Sequence, residues 1–332
     1  MRALVTGGAG FIGSHLVKKL VEKGADITVV DDLSSGDIAN LTEKNVCVRA
    51  IIPGLISNFF MKTQGAKKDH VKVITGDFVD PEVLRHLIGG NYTHIFHLAA
   101  NPRVEYSVKF PAITTETNLM KTVELLSACR QAKIEKFIFA SSSSVYGDVE
   151  NLPTRESVQG VPQSPYALQK LTCEMFMQQF SLLYDMNIAA LRFFNVYGPG
   201  CTGDNPYATA IASWCDKLNK NEPLRSDGDG TQTRDMVYVD DVCETMVRFS
   251  SAEFKFVVAN VGTGYALSNN EILKKLKQKF PTLEIQHAPE RPGDTKHTLA
   301  CTRRLQEYLN WAPKTSFDDG LQQTIDWWQL EE

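Results

Sequence analysis

The stretch TGGAGFIG at residues 6–13 decides the fold of this chain, because it joins a short β-rich run to a long helical pattern. The run before it is Arg2–Thr6, and the helical pattern after it extends over Phe11–Gly24. Glycines in such a turn let the backbone approach a pyrophosphate, and the N-terminus of the following helix supplies N–H donors and a favourable dipole. The spacing G-x-x-G-x-x-G therefore predicts a dinucleotide site. The alternative is a glycine turn that serves packing only.

Short β-rich runs alternate with helical patterns through the first half of the chain. This order is typical of a parallel sheet covered by helices on both faces, so we predict an α/β protein with a doubly wound parallel sheet of the Rossmann type. The predicted strands are Arg2–Thr6, Ile27–Asp31, Val71–Thr75, His94–Leu98, Lys136–Ala140 and Ile188–Phe194. The predicted helices between them are Phe11–Gly24, Pro81–Ile88, Asn118–Ala132 and Tyr166–Tyr184.

Two domains are predicted from a change in amino-acid composition along the chain. Residues 1–180 would form the dinucleotide-binding domain, with strand 188–194 joining its sheet. Residues 195–332 are richer in Pro and Gly and would form a smaller C-terminal α/β domain, partly interleaved with the first and covered by helices at Asn269–Phe280 and Phe317–Gln329. The segment Asn45–His70 is long for a crossover connection, and its composition predicts an extra packed helix; a lid or partner site is the alternative.

Composition excludes several classes of function. Of the 332 residues, 43% are hydrophobic and 22% are charged, as in an ordinary soluble globular protein. The net charge of −4 predicts no broad basic surface for nucleic acid or an anionic membrane. The seven cysteines are dispersed without a C-x-x-C pair, so we predict no disulfide framework, no metal site and a reducing cytoplasm. No apolar run approaches the ~18 residues of a membrane span, and the N-terminus does not read as a signal peptide.

The acid that ends the second predicted strand indicates which dinucleotide binds. Asp31 stands where a carboxylate can accept hydrogen bonds from an adenosine ribose. Asp32 follows it, and no Arg or Lys is adjacent. Because two carboxylates would repel a 2′-phosphate, NAD is favoured over NADP.

Tyr166 and Lys170 stand four residues apart in SPYALQK, so a helix places them on one face. A lysine ammonium beside a bound dinucleotide can stabilise a tyrosine phenolate, which then acts as a base near neutral pH. The pair thus predicts removal of a hydroxyl proton while hydride leaves the same carbon. On its own, a pair with this spacing could equally decorate a helix surface.

Eleven segments in register resemble the extended short-chain dehydrogenase/reductase family, the NAD-dependent epimerases and dehydratases that act on nucleotide sugars. Within the family the chain looks most like the UDP-hexose 4-epimerases. The segments are TGGAGFIGSH, DDLSSG, GDFVD, HLAA, SSSSVYG, SPYALQK, RFFNVYGPG, GDGTQTRDMVYVDD, NVGTG, RPGD and WAPKTSFDDGLQQTIDWW.

The resemblance implies a set of cofactor-binding residues. Asp77 and Phe78 would flank the adenine, and Asn118 would support the site, whereas His97 would pack or hydrogen-bond locally rather than react. The implied NAD-binding residues are Gly7, Gly10, Phe11, Ile12, Gly13, Asp31, Asp32, Ser35, Gly36, Asp77, Phe78, Leu98, Ala99, Ala100, Asn118, Tyr166 and Lys170.

The resemblance also implies that Ser142 completes a catalytic set with Tyr166 and Lys170 by hydrogen-bonding the reacting hydroxyl. Related dehydratases carry acidic residues in the next two positions, and UDP-xylose-forming decarboxylases carry a glutamate in the second. Here those positions are Ser143 and Ser144. Elimination of water needs an acid to protonate the departing hydroxyl, so the chain lacks the equipment for it.

The second domain would bind the sugar nucleotide. Arg234 and Arg291 match the phosphate-binding arginines of the family, and Thr298 matches the position that gates the C2 substituent of the sugar. Threonine there leaves room for an N-acetyl group; an ordinary threonine with no gating role is the alternative. The implied substrate-binding residues are Ser142, Ser143, Asn195, Ala208, Thr209, Arg234, Arg291, Asp294 and Thr298.

Two departures from the family pattern stand out. Arg225-Ser226-Asp227-Gly228 replaces the aliphatic or aromatic residue usual near the base, and Gln169 replaces the small residue usual before the lysine. The first puts the identity of the base as uracil in doubt, while the second leaves the spacing intact.

The sequence thus predicts an isomerase: an NAD-dependent 4-epimerase of a UDP-hexose or UDP-N-acetylhexosamine that works through a 4-keto intermediate. The alternatives are a UDP-glucuronate 4-epimerase, a 4,6-dehydratase, a 4-keto reductase or a non-catalytic NAD-binding module. By analogy with the family, helices Asn118–Ala132 and Tyr166–Tyr184 predict a homodimer.

Overall fold

The computed structural model describes residues 1–41, 47–51, 70–202, 210–290 and 295–329. Its central element is an eight-stranded sheet with the order β11-β7-β6-β5-β1-β2-β4-β3. In this order, each pair of neighbouring strands from β6 to β3 is parallel. The strands of this sheet are β1 (Arg2–Thr6), β2 (Asp26–Asp31), β3 (Cys47–Ile51), β4 (His70–Thr75), β5 (His94–His97), β6 (Lys136–Ser142), β7 (Ile188–Phe193) and β11 (Phe256–Val261). From β1 the chain runs outward to β2 and β4 on one side and to β5, β6, β7 and β11 on the other, and β3 is added outside β4. This arrangement confirms the predicted doubly wound α/β fold.

Two smaller sheets complete the strands of the described residues. In the order β12-β10-β8, β10 pairs parallel with β8 and antiparallel with β12, while β13 and β9 form a parallel pair. These strands are β8 (Asn195–Tyr197), β9 (Leu224–Asp227), β10 (Thr233–Tyr238), β12 (Ala266–Ser268) and β13 (Ile285–Ala288).

The α-helices of the described residues are α1 (Phe11–Glu22), α2 (Pro81–Ile88), α3 (Val104–Lys109), α4 (Pro111–Thr115), α5 (Lys121–Ala132), α6 (Pro165–Tyr184), α7 (Ala210–Asn219), α8 (Val239–Ser251), α9 (Asn269–Lys279), α10 (Arg303–Leu309) and α11 (Phe317–Trp328). A π-helical turn, Glu116–Met120, joins α4 to α5. None of the helices described is long and apolar enough to cross a membrane.

The predicted strands and helices lie within a few residues of those found, with two corrections. The helix predicted to begin at Asn118 is the last part of a helical stretch that begins at Pro111, where proline at the first position suits a helix start. The prediction of an extra helix within Asn45–His70 is wrong for Cys47–Ile51, which pairs as strand β3 with the free edge of β4. The rest of that segment, residues 52–69, lies outside the described residues.

The chain divides into two compact units. The first comprises Met1–Ser141, Ser164–Leu191 and Cys243–Val258, and the second comprises Ser142–Gln163, Arg192–Val242 and Ala259–Glu332. The domain boundary predicted near residue 180 stays a prediction. The core of the first unit is built from the central strands, where Leu4, Ile95 and Phe137 are fully buried. Burial of each such side chain contributes roughly 1.5–3 kcal/mol to stability.

Candidate active site

The glycine-rich turn between β1 and α1 has a shape that only glycine allows at two positions. Gly7 has a φ of +71°, in the left-handed region, and a Cβ on it would lie 2.7 Å from the backbone nitrogen of Ala99. A Cβ on Gly13 would clash with the carbonyl oxygen of Gly7. The packing of the protein itself therefore requires both glycines.

Gly10 differs, because the protein leaves space beside it. A Cβ on Gly10 would come no closer than 3.4 Å to the carbonyl oxygen of Gly7, which is an ordinary contact. Gly10 is the N-cap of α1, makes no side-chain capping bond, and is followed by a first turn without acidic residues. The N–H groups of such a helix end attract an anion. The turn around Gly10, Phe11 and Ile12 therefore fits a pyrophosphate.

The carboxylate of Asp31 is buried at the end of β2 and stabilises the glycine-rich turn. It accepts hydrogen bonds of 2.9 Å from the backbone N–H groups of Ala9 and Leu33. Burial raises the pKa of Asp31, and these two hydrogen bonds oppose the rise. An ionised carboxylate has acceptor capacity beyond two bonds, which is what a ribose hydroxyl would use. The neighbouring Asp32 is exposed and accepts a bond from the N–H of Ser34 at 2.9 Å.

The loop after β2 packs closely against the same turn. A Cβ on Gly36 would lie 3.0 Å from both the carbonyl carbon of Ala9 and a carboxylate oxygen of Asp31. Ser35 beside it is exposed. The close approach explains glycine at position 36 without reference to a ligand.

Asp77 and Phe78, the two predicted neighbours of the adenine, have different surroundings. Asp77 binds the ammonium of Lys121 at 2.5 Å, and this bond raises the pKa of Lys121. The Asp77 side chain stays 40% exposed. Phe78 is buried in the core, with its ring edge-on to His97 and the ring centroids 5.0 Å apart. Contact of either residue with adenine stays a prediction, and Asp77 has the more accessible side chain.

His97 is fully buried and makes local hydrogen bonds, while its lack of a reactive role stays a prediction. Its Nδ1 lies 2.7 Å from the hydroxyl of Thr6, and its Nε2 lies 2.9 Å from that of Thr122. Burial lowers the pKa of His97 to about 3, so the ring is neutral. The partly buried residues 98–100 follow at the carboxyl end of β5, the edge where doubly wound sheets bind ligands.

Asn118 lies in the π-helical turn between α4 and α5 and is buried. Its side-chain oxygen accepts a bond of 2.7 Å from the N–H of Asn101, and its amide donates to the carbonyl of Asn101 at 3.0 Å. These two bonds hold the loop that follows β5. The predicted supporting role of Asn118 therefore has a physical basis, although support of a bound cofactor stays a prediction.

Helix α6 places Tyr166 and Lys170 on one face. The helix starts at Pro165, and the hydroxyl of the N-cap residue Ser164 accepts a bond of 3.2 Å from the N–H of Ala167. Both residues are favoured at a helix start. Tyr166 therefore stands in the first turn and Lys170 in the second, and the exposed fractions of the two residues are 9% and 3%.

The ammonium of Lys170 lies beneath the ring of Tyr166. Its nitrogen is 5.9 Å from the centroid of that ring and 4.4 Å from the centroid of Phe139. It donates a hydrogen bond of 2.7 Å to the carbonyl of Ala140 on β6. Burial lowers the pKa of Lys170 to about 8, so the group is still mainly charged near pH 7. The structure thus brings the two residues together, and their catalytic roles stay predictions.

Ser142 caps a short 3₁₀ turn, Ser143–Tyr146, in the second unit. Its hydroxyl oxygen accepts a bond from the N–H of Ser144 at 3.2 Å and pairs with the Ser144 hydroxyl at 2.9 Å. Ser143 and Ser144 are thus serines at the two positions where the related dehydratases carry acids.

Asn195 and Thr298, both predicted to bind substrate, lie together in the second unit. The amide of Asn195 donates to the hydroxyl oxygen of Thr298 at 3.2 Å, and the N–H of Asp235 donates to the same oxygen at 3.3 Å. Arg234 donates from one guanidinium nitrogen to the carbonyls of Thr233 at 3.0 Å and Lys296 at 3.1 Å. Four further predicted substrate residues, Ala208, Thr209, Arg291 and Asp294, lie outside the described residues.

The sequence and the fold both match a known family. The family model described as GDP-mannose 4,6 dehydratase matches residues 4–324. The chain belongs to this family. The family comprises the NAD-dependent epimerases and dehydratases, so both the predicted family and the predicted cofactor, NAD, are confirmed. A curated relative from Methanocaldococcus jannaschii named putative UDP-glucose 4-epimerase is 33% identical over 327 residues, 98% of this chain and 97% of that protein.

Two solved members of the family match over almost their full length. A UDP-N-acetylglucosamine 4-epimerase from Methanobrevibacter ruminantium, in complex with UDP-N-acetylmuramic acid, has a TM-score of 0.87 at 31% identity and covers 99% of this chain and 98% of its own. A UDP-glucose 4-epimerase from Thermus thermophilus, in complex with NAD, has a TM-score of 0.83 at 32% identity and covers 99% of both chains.

Sequence reasoning missed the structural roles of three buried polar residues of this family member. Asp235 accepts bonds from the N–H groups of Thr263, Gly264 and Ala300 at 2.7–3.0 Å and so organises the segments around Thr298. Gln169 and Glu174 are buried on α6 near Lys170. The signal for Glu174 is present in the sequence, since it continues the four-residue spacing of Tyr166 and Lys170. No comparable spacing signals the role of Asp235.

Proposed function

We propose that this protein is an NAD-dependent nucleotide-sugar 4-epimerase whose substrates are a UDP-hexose or a UDP-N-acetylhexosamine. The family already implies an isomerase or dehydratase of nucleotide sugars that uses NAD. The observation that carries the finer proposal is the turn at Ser142–Ser144, which offers hydroxyl groups and no carboxylate. Without an acid to protonate a departing hydroxyl, oxidation at C4 and its reversal remain as the chemistry.

Each catalytic residue has a proposed task. Tyr166 as phenolate accepts the proton of the C4 hydroxyl, and the ammonium of Lys170 beneath its ring stabilises that phenolate. Ser142 hydrogen-bonds the same hydroxyl. When bound, NAD⁺ supplies the acceptor, and afterwards the donor, of the C4 hydride. After the 4-keto sugar has turned its other face, Tyr166 returns its proton, so the reaction has no net redox change.

The substrate range is proposed to include sugars with an N-acetyl group at C2. Thr298 is small, and its hydroxyl oxygen is held by Asn195 and by the N–H of Asp235. We take this small side chain to leave the room that a tyrosine would fill. Among the similar proteins, one is named for UDP-glucose and one for UDP-N-acetylglucosamine, which supports a site that tolerates both substituents.

We further propose a cytoplasmic homodimer formed by the outer faces of α4, α5 and α6. Leu168, Met175 and Leu182 repeat every seven residues along α6 and are more than half exposed. Ile113 and Met120 are similarly exposed at α4 and in the π-helical turn. Met175→Glu is therefore expected to yield a monomer in analytical ultracentrifugation, and an unchanged mass would contradict this interface.

The function is tested by incubating the purified protein with UDP-Glc, UDP-GlcNAc and UDP-GlcA without added NAD and following inversion at C4 by NMR. We expect inversion of the first two. Loss of water or carbon dioxide, or dependence on stoichiometric NAD(P)H, would show another member of the family. Inversion of UDP-GlcA alone would assign the uronate specificity. Unchanged activity of Tyr166→Phe would remove Tyr166 as the base.

A further inference from the structure

A third buried polar residue continues the face of α6 that carries Tyr166 and Lys170. Glu174 stands four residues after Lys170 and is 4% exposed. Burial of a carboxylate costs several kcal/mol unless the charge is paired or hydrogen-bonded. Because this cost is high, the burial of Glu174 near the buried ammonium of Lys170 indicates a role beyond packing.

The contacts of Glu174 place it in one layer with Lys170. Its carboxylate accepts a hydrogen bond of 2.5 Å from the hydroxyl of Ser141, while Lys170 donates to the carbonyl of Ala140 at 2.7 Å. The two side chains therefore join α6 to consecutive residues of β6. Because side chains alternate along a strand, the same bond also fixes the face to which the next residue, Ser142, turns.

We propose that Glu174 is a positioning residue that acts through Lys170: its buried negative charge keeps the Lys170 ammonium protonated, and Tyr166 thereby stays available as the base. The proposal rests on the proposed function only in giving Tyr166 that role. No contact of Glu174 with cofactor or sugar is required.

The other groups that face Lys170 are neutral in the relevant pH range. Burial lowers the pKa of Lys170 to about 8, whereas Cys173 and Glu174 oppose this shift. Burial raises the pKa of Cys173 to about 11, so its thiol carries no charge where Lys170 titrates. His97 on β5 has a pKa of about 3 and is neutral.

On the remaining side, β6 presents Phe139, Ala140 and Ser141, none of which ionises in this range. Tyr166 is the proton acceptor itself. Glu174 is the carboxyl group among the described groups that act electrostatically on Lys170.

Two substitutions separate charge from shape. Glu174→Gln keeps the size and the acceptor for Ser141 but removes the charge, while Glu174→Asp keeps the charge on a shorter side chain. In E174Q we expect the alkaline limb of the profile of kcat against pH to move to lower pH by about one unit. At pH values above that limb kcat should fall about tenfold, while KM should change little. E174D should retain the wild-type profile. An unchanged profile in E174Q, or a displaced profile in E174D, overturns the proposal.

The pKa of Lys170 gives a readout that needs no substrate. It is measured from the shift of an isotopic label on lysine Cε, assigned by loss of the signal in Lys170→Met. The titration should move to lower pH in E174Q and stay in place in E174D. If E174Q fails to fold, E174D still decides, because a displaced Lys170 titration despite the retained charge contradicts the proposal. Failure of the epimerase function alone would leave these titrations unaffected.

Discussion

The side-chain amide of Asn118 donates a hydrogen bond of 2.8 Å to the side-chain oxygen of Gln169, the residue directly before Lys170. The amide of Gln169 in turn donates to the hydroxyls of Thr114 and Thr115, each at 3.0 Å. Every polar atom of this buried glutamine side chain therefore has a partner. The network connects helix α6 to α4 and the π-helical turn, which gives the unusual glutamine before the lysine a structural role.

Gln169→Ala is expected to lower the free energy of unfolding by about 1–3 kcal/mol, because it leaves buried donors and acceptors without partners. It should also lower kcat more than it raises KM, since Lys170 is the next residue. Urea unfolding and steady-state kinetics measure both effects. Gln306→Ala, at an exposed position of α10 outside the proposed dimer interface, is the control and should change neither. Equal effects of the two substitutions would argue against the network.

Gly10→Ala and Gly13→Ala are expected to fail in different ways. Alanine at position 13 clashes with the carbonyl of Gly7, so that variant should unfold at a clearly lower temperature or not fold. Alanine at position 10 meets only an ordinary 3.4 Å contact, so the protein should fold normally but lose NAD affinity. Thermal unfolding and the NAD content of the purified proteins distinguish these outcomes. Full NAD binding by the folded G10A variant would contradict the placement of the pyrophosphate.

Lys170 should make stability depend on pH in a direction unusual for a lysine. Burial lowers its pKa from the ordinary 10.5 to about 8, so between these values the unfolded chain binds more protons than the folded protein. The free energy of unfolding should therefore rise with pH in this window, by about 1.4 kcal/mol per unit for this one group. Urea unfolding of the wild type and of Lys170→Met isolates the contribution as the difference between them. A difference that does not change with pH would show that the pKa of Lys170 is not lowered.

Thr298→Tyr is expected to reduce kcat/KM for UDP-GlcNAc at least tenfold more than for UDP-Glc, because the larger side chain fills the space proposed for the N-acetyl group. Thr298→Val removes the hydroxyl that accepts the bond from Asn195 but keeps the size. If that variant shifts the preference as strongly as T298Y, the hydrogen bond rather than the volume determines specificity. Competition between the two substrates in one reaction measures the ratio directly.

The parts of the fold and site that depend on local sequence could be predicted. The glycine turn, the acid at the end of β2 and the four-residue spacing of Tyr166 and Lys170 all carry their information within a few positions. The strand Cys47–Ile51 could not be recognised, because its pairing with the distant edge of β4 decides its conformation. The burial of Phe78 against His97 likewise depends on tertiary packing.

The polar residues that support the site were the hardest to predict. Asp235 stands in a run of residues that reads as an ordinary strand, and only the fold shows three backbone N–H groups converging on its carboxylate. Glu174 and Ser141 lie 33 positions apart, so their hydrogen bond cannot be read from spacing. These residues matter for orientation and charge, properties that arise only after the chain has folded.

The fate of the hydrogen on C4 tests the central claim most directly. A UDP-hexose labelled with deuterium at C4 is converted by the protein with NAD present in less than stoichiometric amount, and the product is examined by NMR. If the protein oxidises and re-reduces the same carbon, the epimer carries deuterium at C4 and no solvent hydrogen there. Deuterium at C6 together with loss of water would show a dehydratase, and deuterium lost to solvent would contradict a retained hydride.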